Sequence, residues 1–239
     1  MKRPRLLDLF CGGGGAAMGY HRAGFEVVGV DQMPQPRYPF GFLQADVLKL
    51  DPAWVAEFDA IHASPPCQVH SRISVISGRQ HLHVDHIDDT RALLQKSGKR
   101  WIMENVVGAP LHDPVMLCGT MFGLETDCGA KLWRHRLFEA NFWIGLVPQC
   151  QHERANRCIT VVGNHPRDHS RRTITVTGST PQMNVVRNRS RIQFPVNQAR
   201  RAMGIDWLTM KGLSQAIPPA YTQWLGERLL GYVARGLAA

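Results

Sequence analysis

The sequence predicts an α/β protein built on a doubly wound, mostly parallel sheet, with a small β-leaning insert late in the chain. Five short apolar segments recur in its first half, each running into a polar residue suited to chemistry: Asp8, Asp31, Asp46, Cys67 and Glu104. Helical or turn-forming stretches separate them, which is the alternation expected of a parallel α/β sheet. Ligands in such sheets bind along the carboxyl edge of the strands, so the five residues in series point to one site.

The 239 residues suffice for one substantial core, or for a core and a small lobe. With 44% hydrophobic and 20% charged residues, the composition is that of a globular protein. No apolar run reaches the ~18 residues that span a bilayer. The start, Met1-Lys2-Arg3-Pro4-Arg5, is basic, but Leu6 to Phe10 is interrupted by Asp8 and runs into glycines. It therefore suits a first strand and not a signal peptide. Without a secretory signal, the six cysteines are expected as reduced thiols. Net charge is +9, and residues 151–201 carry ten arginines against Glu153 and Asp168. Such an arginine-rich stretch fits a phosphate-bearing partner, since the guanidinium fork matches phosphate and guanine.

Taken in order, residues 5–10 form a strand that ends in Cys11-Gly12-Gly13-Gly14-Gly15, followed by a helix-like stretch to Gly24. The glycines allow a tight turn and a close approach of ligand to backbone. Residues 25–30 form a second strand ending in Asp31, at βαβ spacing from Asp8, where a carboxylate can accept bonds from ribose hydroxyls. Residues 41–45 and 58–63 supply the third and fourth strands. Residues 90–99 have helical spacing, and residues 100–103 form a fifth strand ending in Glu104-Asn105-Val106. Lys131 to Glu139 alternates as a strand, which would point Arg134 and Arg136 the same way. Residues 159–162 and 173–177 are β-rich, and a helix is expected from Asn197, as N-cap, to Met203. Tyr221 to Leu237 suits a terminal helix with Trp224, Leu225, Leu229 and Val233 on one side. The domain division is 1–145, a small region at 146–196, and 197–239 returning to the first domain.

Cys67 follows Pro65-Pro66 at the end of the fourth strand. Each proline fixes φ and lacks an N–H, so the cysteine is held past a rigid corner. By itself this hexapeptide suits a buried structural cysteine as well as a reactive one. His81, His83 and His86 could be drawn as metal ligands but suit a solvated loop better. Cys150, His152 and Cys158 lie close together, and Cys118 or Cys128 could add a fourth zinc ligand. The tight CxxC spacing of closed structural sites is missing, so no metal is expected.

Together these motifs resemble those of the C5-cytosine DNA methyltransferase family. Asp8-Leu9-Phe10-Cys11-Gly12-Gly13-Gly14 resembles its S-adenosylmethionine loop. Asp31 and Asp46 match its ribose- and adenine-contacting acids, and Pro65-Pro66-Cys67-Gln68 its nucleophile loop. Glu104-Asn105-Val106 resembles its ENV motif, and Arg134-x-Arg136 the arginines of QxRxR. Leu132 replaces the QxRxR glutamine, Ser214-Gln215 the usual Gly-Asn before Ile217-Pro218-Pro219, and Val69-His70 part of the usual Pro-Phe-Ser. The resemblance implies a Rossmann-like methyltransferase whose catalytic residues are Cys67, Glu104, Arg134 and Arg136. The implied cofactor, S-adenosyl-L-methionine, would be held by Asp8, Phe10, Cys11, Gly12, Gly13, Gly14, Asp31, Gln32, Asp46, Val47, Pro65, Gln215 and Ile217. Gln68, Ser71, Arg171, Arg172, Arg187, Arg189 and Arg191 would meet the nucleic acid, with residues 146–196 as target-recognition region. The implied enzyme is a cytoplasmic monomer, bacterial or phage-encoded, that methylates C5 of a flipped cytosine in double-stranded DNA through a Cys67 adduct, helped to ionise by Arg136 and the sulfonium. Restriction-modification is one such setting.

Three alternatives share some of these features. A transfer-RNA cytosine methyltransferase would carry the same charge. A catalytically silent DNA-binding relative would explain the altered last motif, yet need not keep Cys67, Glu104, Arg134 and Arg136. A nicotinamide oxidoreductase would suit the glycine turn and Asp31, but leaves Pro65-Pro66-Cys67 and Glu104 without a role.

Overall fold

Side chains alternate along the central strands, so each strand presents apolar groups to both faces of one sheet. The computed structural model describes residues 2–70, 78, 80–127, 129–151, 173–174 and 195–236. In chain order the strands are β1 (Arg5–Leu9), β2 (Glu26–Asp31), β3 (Gly41–Gln44), β4 (Ala60–Ala63), β5 (Arg100–Asn105), β6 (Val115–Leu117), β7 (Lys131–Leu132), β8 (Arg136–Ala140) and β9 (Thr173–Ile174). Seven of them form one sheet in the order β3-β2-β1-β4-β5-β8-β6, and β7 pairs with β9. The β3-β2-β1-β4-β5 run is parallel throughout, and β8 runs antiparallel to both β5 and β6. The expected mostly parallel, doubly wound sheet is observed.

Leu6, Val27, Ala60 and Ile102 face one side of the sheet, against Ala16, Ala17 and Tyr20 of the first helix and Tyr221, Leu225, Leu229 and Val233 of the last. Leu7, Leu9, Val30, Ile61, Ala63, Trp101 and Met103 face the other side, against Val55, Phe58, Ile87 and Leu94. Each fully buried Leu, Ile, Val, Phe or Met among them contributes roughly 1.5–3 kcal/mol before entropy is charged against it. The first helix, Gly15–Ala23, and the terminal helix, Pro219–Gly236, meet at Gly19. A Cβ there would lie 2.0 Å from Thr222 Oγ1 and 2.2 Å from the Pro219 carbonyl oxygen, so only glycine permits the crossing. Arg91, on the Ile87–Lys96 helix, donates from its Nε and a terminal nitrogen to the two Glu139 oxygens at 2.9 and 3.0 Å, tying that helix to β8.

Several expectations need correction. The alternating stretch 131–139 is two strands, not one, with Trp133, Arg134 and His135 outside both. Arg134 and Arg136 therefore do not project as strand neighbours. The helix expected at 90–99 runs from Ile87 to Lys96, where Asp88 and Asp89 favour the first turn by opposing the helix dipole. The helix expected from Asn197 spans Val196–Met203, and Pro195 occupies the N-cap position without a side-chain bond. That helix packs Ala199, Ala202 and Met203 against Leu132, Ile205, Leu208 and Leu213, a separate small core beside the sheet. Of the β-rich insert, residues 159–162 and 175–177 lie outside the described residues, and Thr173–Ile174 pairs parallel with β7. No helix among the described residues is long and apolar enough to cross a membrane.

Candidate active site

Parallel register aligns the strand ends. Leu9 lies beside Ala63, and Ala63 beside Met103, so the loops after β1, β4 and β5 open on one edge. After β1 the chain turns sharply. Phe10 has φ 55° and Gly12 φ 49°, and Gly14, at φ 80°, stands at the N-cap of the first helix. A left-handed phenylalanine is costly for an L-residue, and such backbone persists where surroundings over-determine it. Here the Cys11 N–H donates to the Val30 carbonyl at 3.1 Å and the Gly12 N–H to Asp31 Oδ2 at 2.9 Å. Asp31 Oδ1 also accepts from the Met33 N–H at 2.9 Å. Exposed Gln32, beside Asp31, accepts at its carbonyl from Gln44 Nε2.

Asp46 caps the next turn by accepting from the Leu48 N–H at 3.1 Å, leaving Val47 buried beside it. From the far end of the chain, Ile217 is buried against the start of the first helix, its carbonyl oxygen 2.5 Å from where a Cβ on Gly15 would stand. Gln215, the last residue of the Met210–Gln215 helix, is exposed. The Trp207 indole N–H donates to the Gly13 carbonyl at 2.8 Å. Trp207 carried no motif in the sequence, and nothing local signals its role.

Beneath the turn, Asp8 is fully buried. The Tyr38 hydroxyl donates to its Oδ2 at 3.3 Å, while Oδ1 has no partner. Burial raises its carboxyl to about 8, the Tyr38 bond opposing and Asp31 adding to the shift.

The Cys67 loop is anchored at both flanks. The Ser64 N–H donates to the Leu9 carbonyl at 3.1 Å, and Asn105 Nδ2 donates to the carbonyl of buried Pro65 at 3.1 Å. The first two residues of the Glu104-Asn105-Val106 segment thus divide their work. Asn105 holds the Cys67 corner, and the Glu104 side chain turns toward Arg136, whose Nε lies 3.0 Å from its Oε1. Both side chains are largely sequestered from solvent. Burial raises the Glu104 carboxyl above its usual range, and Arg136, Arg134 and a Ser64 bond only partly offset this. Burial also raises the Cys67 thiol, with Glu104 adding to the effect and Arg136 opposing it. Arg136, expected to help ionise Cys67, is therefore outweighed, because burial and the neighbouring carboxylate act on the thiol together.

Arg134, expected among the catalytic residues, is engaged by the chain's own backbone. It is buried, and one terminal nitrogen donates to the Ser214 and Ala216 carbonyls at 2.8 Å each. Its own carbonyl accepts from the Tyr221 hydroxyl at 2.6 Å. Burial, with Arg136 nearby, lowers its guanidinium to about 9. It joins the closing segment to the Arg136 strand, and acts on Glu104 and Cys67 through charge. Sequence reasoning also missed His62, whose ring lies between the Tyr20 hydroxyl (3.0 Å) and the Ser64 hydroxyl (2.9 Å). Burial lowers His62 to about 3, so it is a neutral brace under Ser64. Its apolar strand context gave no such signal. Gln68 is exposed at the loop. Ser71, Arg171, Arg172, Arg187, Arg189 and Arg191 lie outside the described residues, as do Cys128, His152 and Cys158.

A glycine turn, a buried acid and a Cys–Glu–Arg group thus share one sheet edge, and residues 4–116, which hold all of it but the arginines, match the profile of the C-5 cytosine-specific DNA methylases. A type II methyltransferase, M.NgoPII of Neisseria gonorrhoeae, is 30% identical over 117 residues, 44% of this chain. The match covers 33% of that relative, so the chain spans about a third of the length of the curated relative it matches. A solved protein described as a DNA modification methyltransferase of an E. coli prophage has a TM-score of 0.61 at 14% identity, over 97% of this chain and 99% of that one. The S. pombe Dnmt2 methyltransferase has a TM-score of 0.57 at 15% identity, over 97% and 99%. Both likenesses show a shared fold over nearly the whole chain.

Proposed function

We propose that the protein is a DNA (cytosine-5-)-methyltransferase that uses S-adenosylmethionine and attacks its base through Cys67. The observation that carries this is the Arg136–Glu104 pair of 3.0 Å set beside Cys67, on the same edge as the glycine turn. The residues present fit the cofactor. Asp8 Oδ1, buried and unpartnered, suits a cationic group, and the Gly12 to Gly14 turn lets a ligand lie against backbone. Asp31 and Asp46 are fixed by backbone N–H groups and retain acceptor capacity for hydroxyl or amine donors. Phe10, Cys11, Gln32, Val47, Pro65, Gln215 and Ile217 complete the proposed binding set. When bound, S-adenosylmethionine supplies a methyl group made electrophilic by its sulfonium.

C5 of cytosine is a poor nucleophile, so this chain's residues must raise its electron density. Cys67, as thiolate, adds to C6 and forms a C–S bond, moving the ring electrons toward C5. Glu104, whose burial favours the protonated form, donates to N3 and stabilises that charge. Arg136 holds Glu104 and lies where it can meet O2 of the base. Once C5 carries the methyl group, its proton passes to water, Glu104 takes back the N3 proton, and elimination of Cys67 as thiolate restores the aromatic ring. A base inside a duplex cannot reach Cys67, so it must leave the stack at a cost of a few kcal/mol. The arginine-rich 151–201 segment would offset that cost through phosphate contacts.

The test is nucleoside mass spectrometry after incubating the protein and S-adenosylmethionine with duplex DNA or, in parallel, with transfer RNA. 5-Methylcytosine in DNA supports the proposal, and its appearance in RNA alone would replace the substrate while keeping the chemistry. No product on either, with cofactor bound, would leave a silent relative.

A further inference from the structure

We propose that Cys118, His135 and Cys150 form a zinc site that ties the Arg136 strand to the root of the arginine-rich segment. The three come from separate stretches of chain: Cys118 directly after β6, His135 in the break before β8, and Cys150 in the extended stretch after β8. Their sulfurs and a ring nitrogen all lie within 4.8 Å of one another, and His135 Nε2 is 3.2 Å from Cys150 Sγ. Around a tetrahedral zinc, with Zn–S about 2.3 Å and Zn–N about 2.0–2.1 Å, neighbouring donors stand about 3.4–3.8 Å apart. A small closure of this group therefore gives ligand geometry, with a fourth position left for water or another donor.

The donor set selects among ions. Two thiolates and an imidazole suit zinc and are poor partners for magnesium or calcium, which prefer oxygen. The surroundings resemble the outer layer that metal thiolates require. Thr120 Oγ1 lies 3.4 Å from Cys118 Sγ as donor, and the Gln151 N–H donates to the same hydroxyl at 3.2 Å. Such partners orient ligands and tune their basicity. Cys118 is buried while Cys150 and His135 are half-buried, so an ion can enter from one side. The sequence concealed the set, because none of its members are paired at CxxC spacing and His135 fell within an apparent strand.

The placement gives the ion its effect. His135 stands between Arg134 and Arg136, and Cys150 directly precedes residue 151, where the arginine-rich stretch begins. A bound zinc would fix the base-facing strand relative to that stretch without touching a reacting atom. The proposal rests on donor chemistry and does not depend on methyl transfer.

The decisive experiment measures metal on the full chain. The protein is stripped with chelator under reducing conditions and titrated with cobalt(II), then with zinc, and zinc content is measured on protein as isolated. One equivalent of cobalt should produce a thiolate-to-metal charge-transfer band and strong tetrahedral ligand-field bands, which zinc abolishes. Cys118→Ser and Cys150→Ser should each weaken metal binding at least tenfold, while Cys67→Ser leaves it unchanged. Absence of the cobalt bands in the unaltered chain overturns the site whatever the variants do. Retention of full affinity in both cysteine variants overturns it as well, as does a Cys118–Cys150 disulfide that forms in place of metal uptake.

Discussion

Arg136 Nε lies 3.0 Å from Glu104 Oε1, and this ion pair works against the burial that dominates the ionisation of both candidate reactive groups. Arg136 favours the Glu104 carboxylate and the Cys67 thiolate alike, while a charged Glu104 opposes the thiolate. Glu104→Gln should therefore separate two quantities that ordinarily fall together. Removing the carboxylate charge lowers the Cys67 thiol, so alkylation of Cys67 in the cofactor-free protein should reach its midpoint at lower pH. Methyl transfer should nevertheless fall by about 10²–10⁴, the range for losing a general acid. Single-turnover methylation and iodoacetamide kinetics measure the two arms. If alkylation shifts to higher pH, or methylation is unchanged, the Glu104 assignment fails.

Asp8 makes a different prediction, about stability. Its folded carboxyl is raised to about 8 from an ordinary 3.8. Between those values the folded protein keeps a proton that the unfolded chain has released, so stability declines as pH rises through that window. The difference corresponds to an upper bound on the order of 5 kcal/mol. Asp8→Asn removes the ionisable group but keeps the shape. In urea unfolding without cofactor, the variant should lose less stability than the parent between pH 5 and pH 8. Equal losses would mean that Asp8 is ionised in the folded protein throughout.

The Gly19 crossing predicts a contrast between two glycines, one packed against the terminal helix and one on it. A Cβ at Gly19 meets the Pro219 backbone oxygen at 2.2 Å, and backbone cannot swing aside as a side-chain tip can. Gly19→Ala should cost about 1–3 kcal/mol or more, as overpacked sites do. Gly231, exposed on that helix, has nothing within 4 Å of the place a methyl group would occupy. Gly231→Ala should stabilise by up to about 1 kcal/mol through helix propensity. Chemical denaturation of the two variants decides it, and similar values would show that the helices can move apart freely.

The parallel sheet and its functional edge were legible because each needs only local patterns. Leu6 and Leu7 sit on opposite faces, as alternation requires, and the strand-end acids fall where register places them. Arg134 was not legible. Its partners are carbonyls of Ser214 and Ala216, some eighty residues away in sequence, and no local period encodes that contact. His62 and Trp207 were hidden for the same reason. Their bonds to Tyr20, Ser64 and Gly13 exist only once distant strands and loops are stacked. The ionisation of Cys67 failed differently. The sequence supplied the neighbouring arginine, but the opposing burial is a property of the packed site.

The arginine-rich segment yields the last prediction, a salt dependence with a limit on its size. Of its ten arginines, two are already engaged within the protein. Arg200 Nε donates to the Leu208 carbonyl at 2.9 Å, and Arg201 Nε lies 3.4 Å from Asp127 Oδ1. The other eight, Arg154 to Arg191, lie outside the described residues. If about six of these meet phosphate, duplex affinity should fall by about 10³ between 50 and 200 mM salt. Arg187→Ala or Arg189→Ala should reduce the slope of log affinity against log salt by about one each, uniformly across sequences. Arg200→Ala and Arg201→Ala should leave that slope unchanged, since those side chains are bound to the protein. Fluorescence anisotropy over a salt series measures all four. A slope near zero in the unaltered protein would remove the segment from DNA binding, and a reduced slope on losing Arg200 or Arg201 would move the phosphate path onto the helix at 196–203.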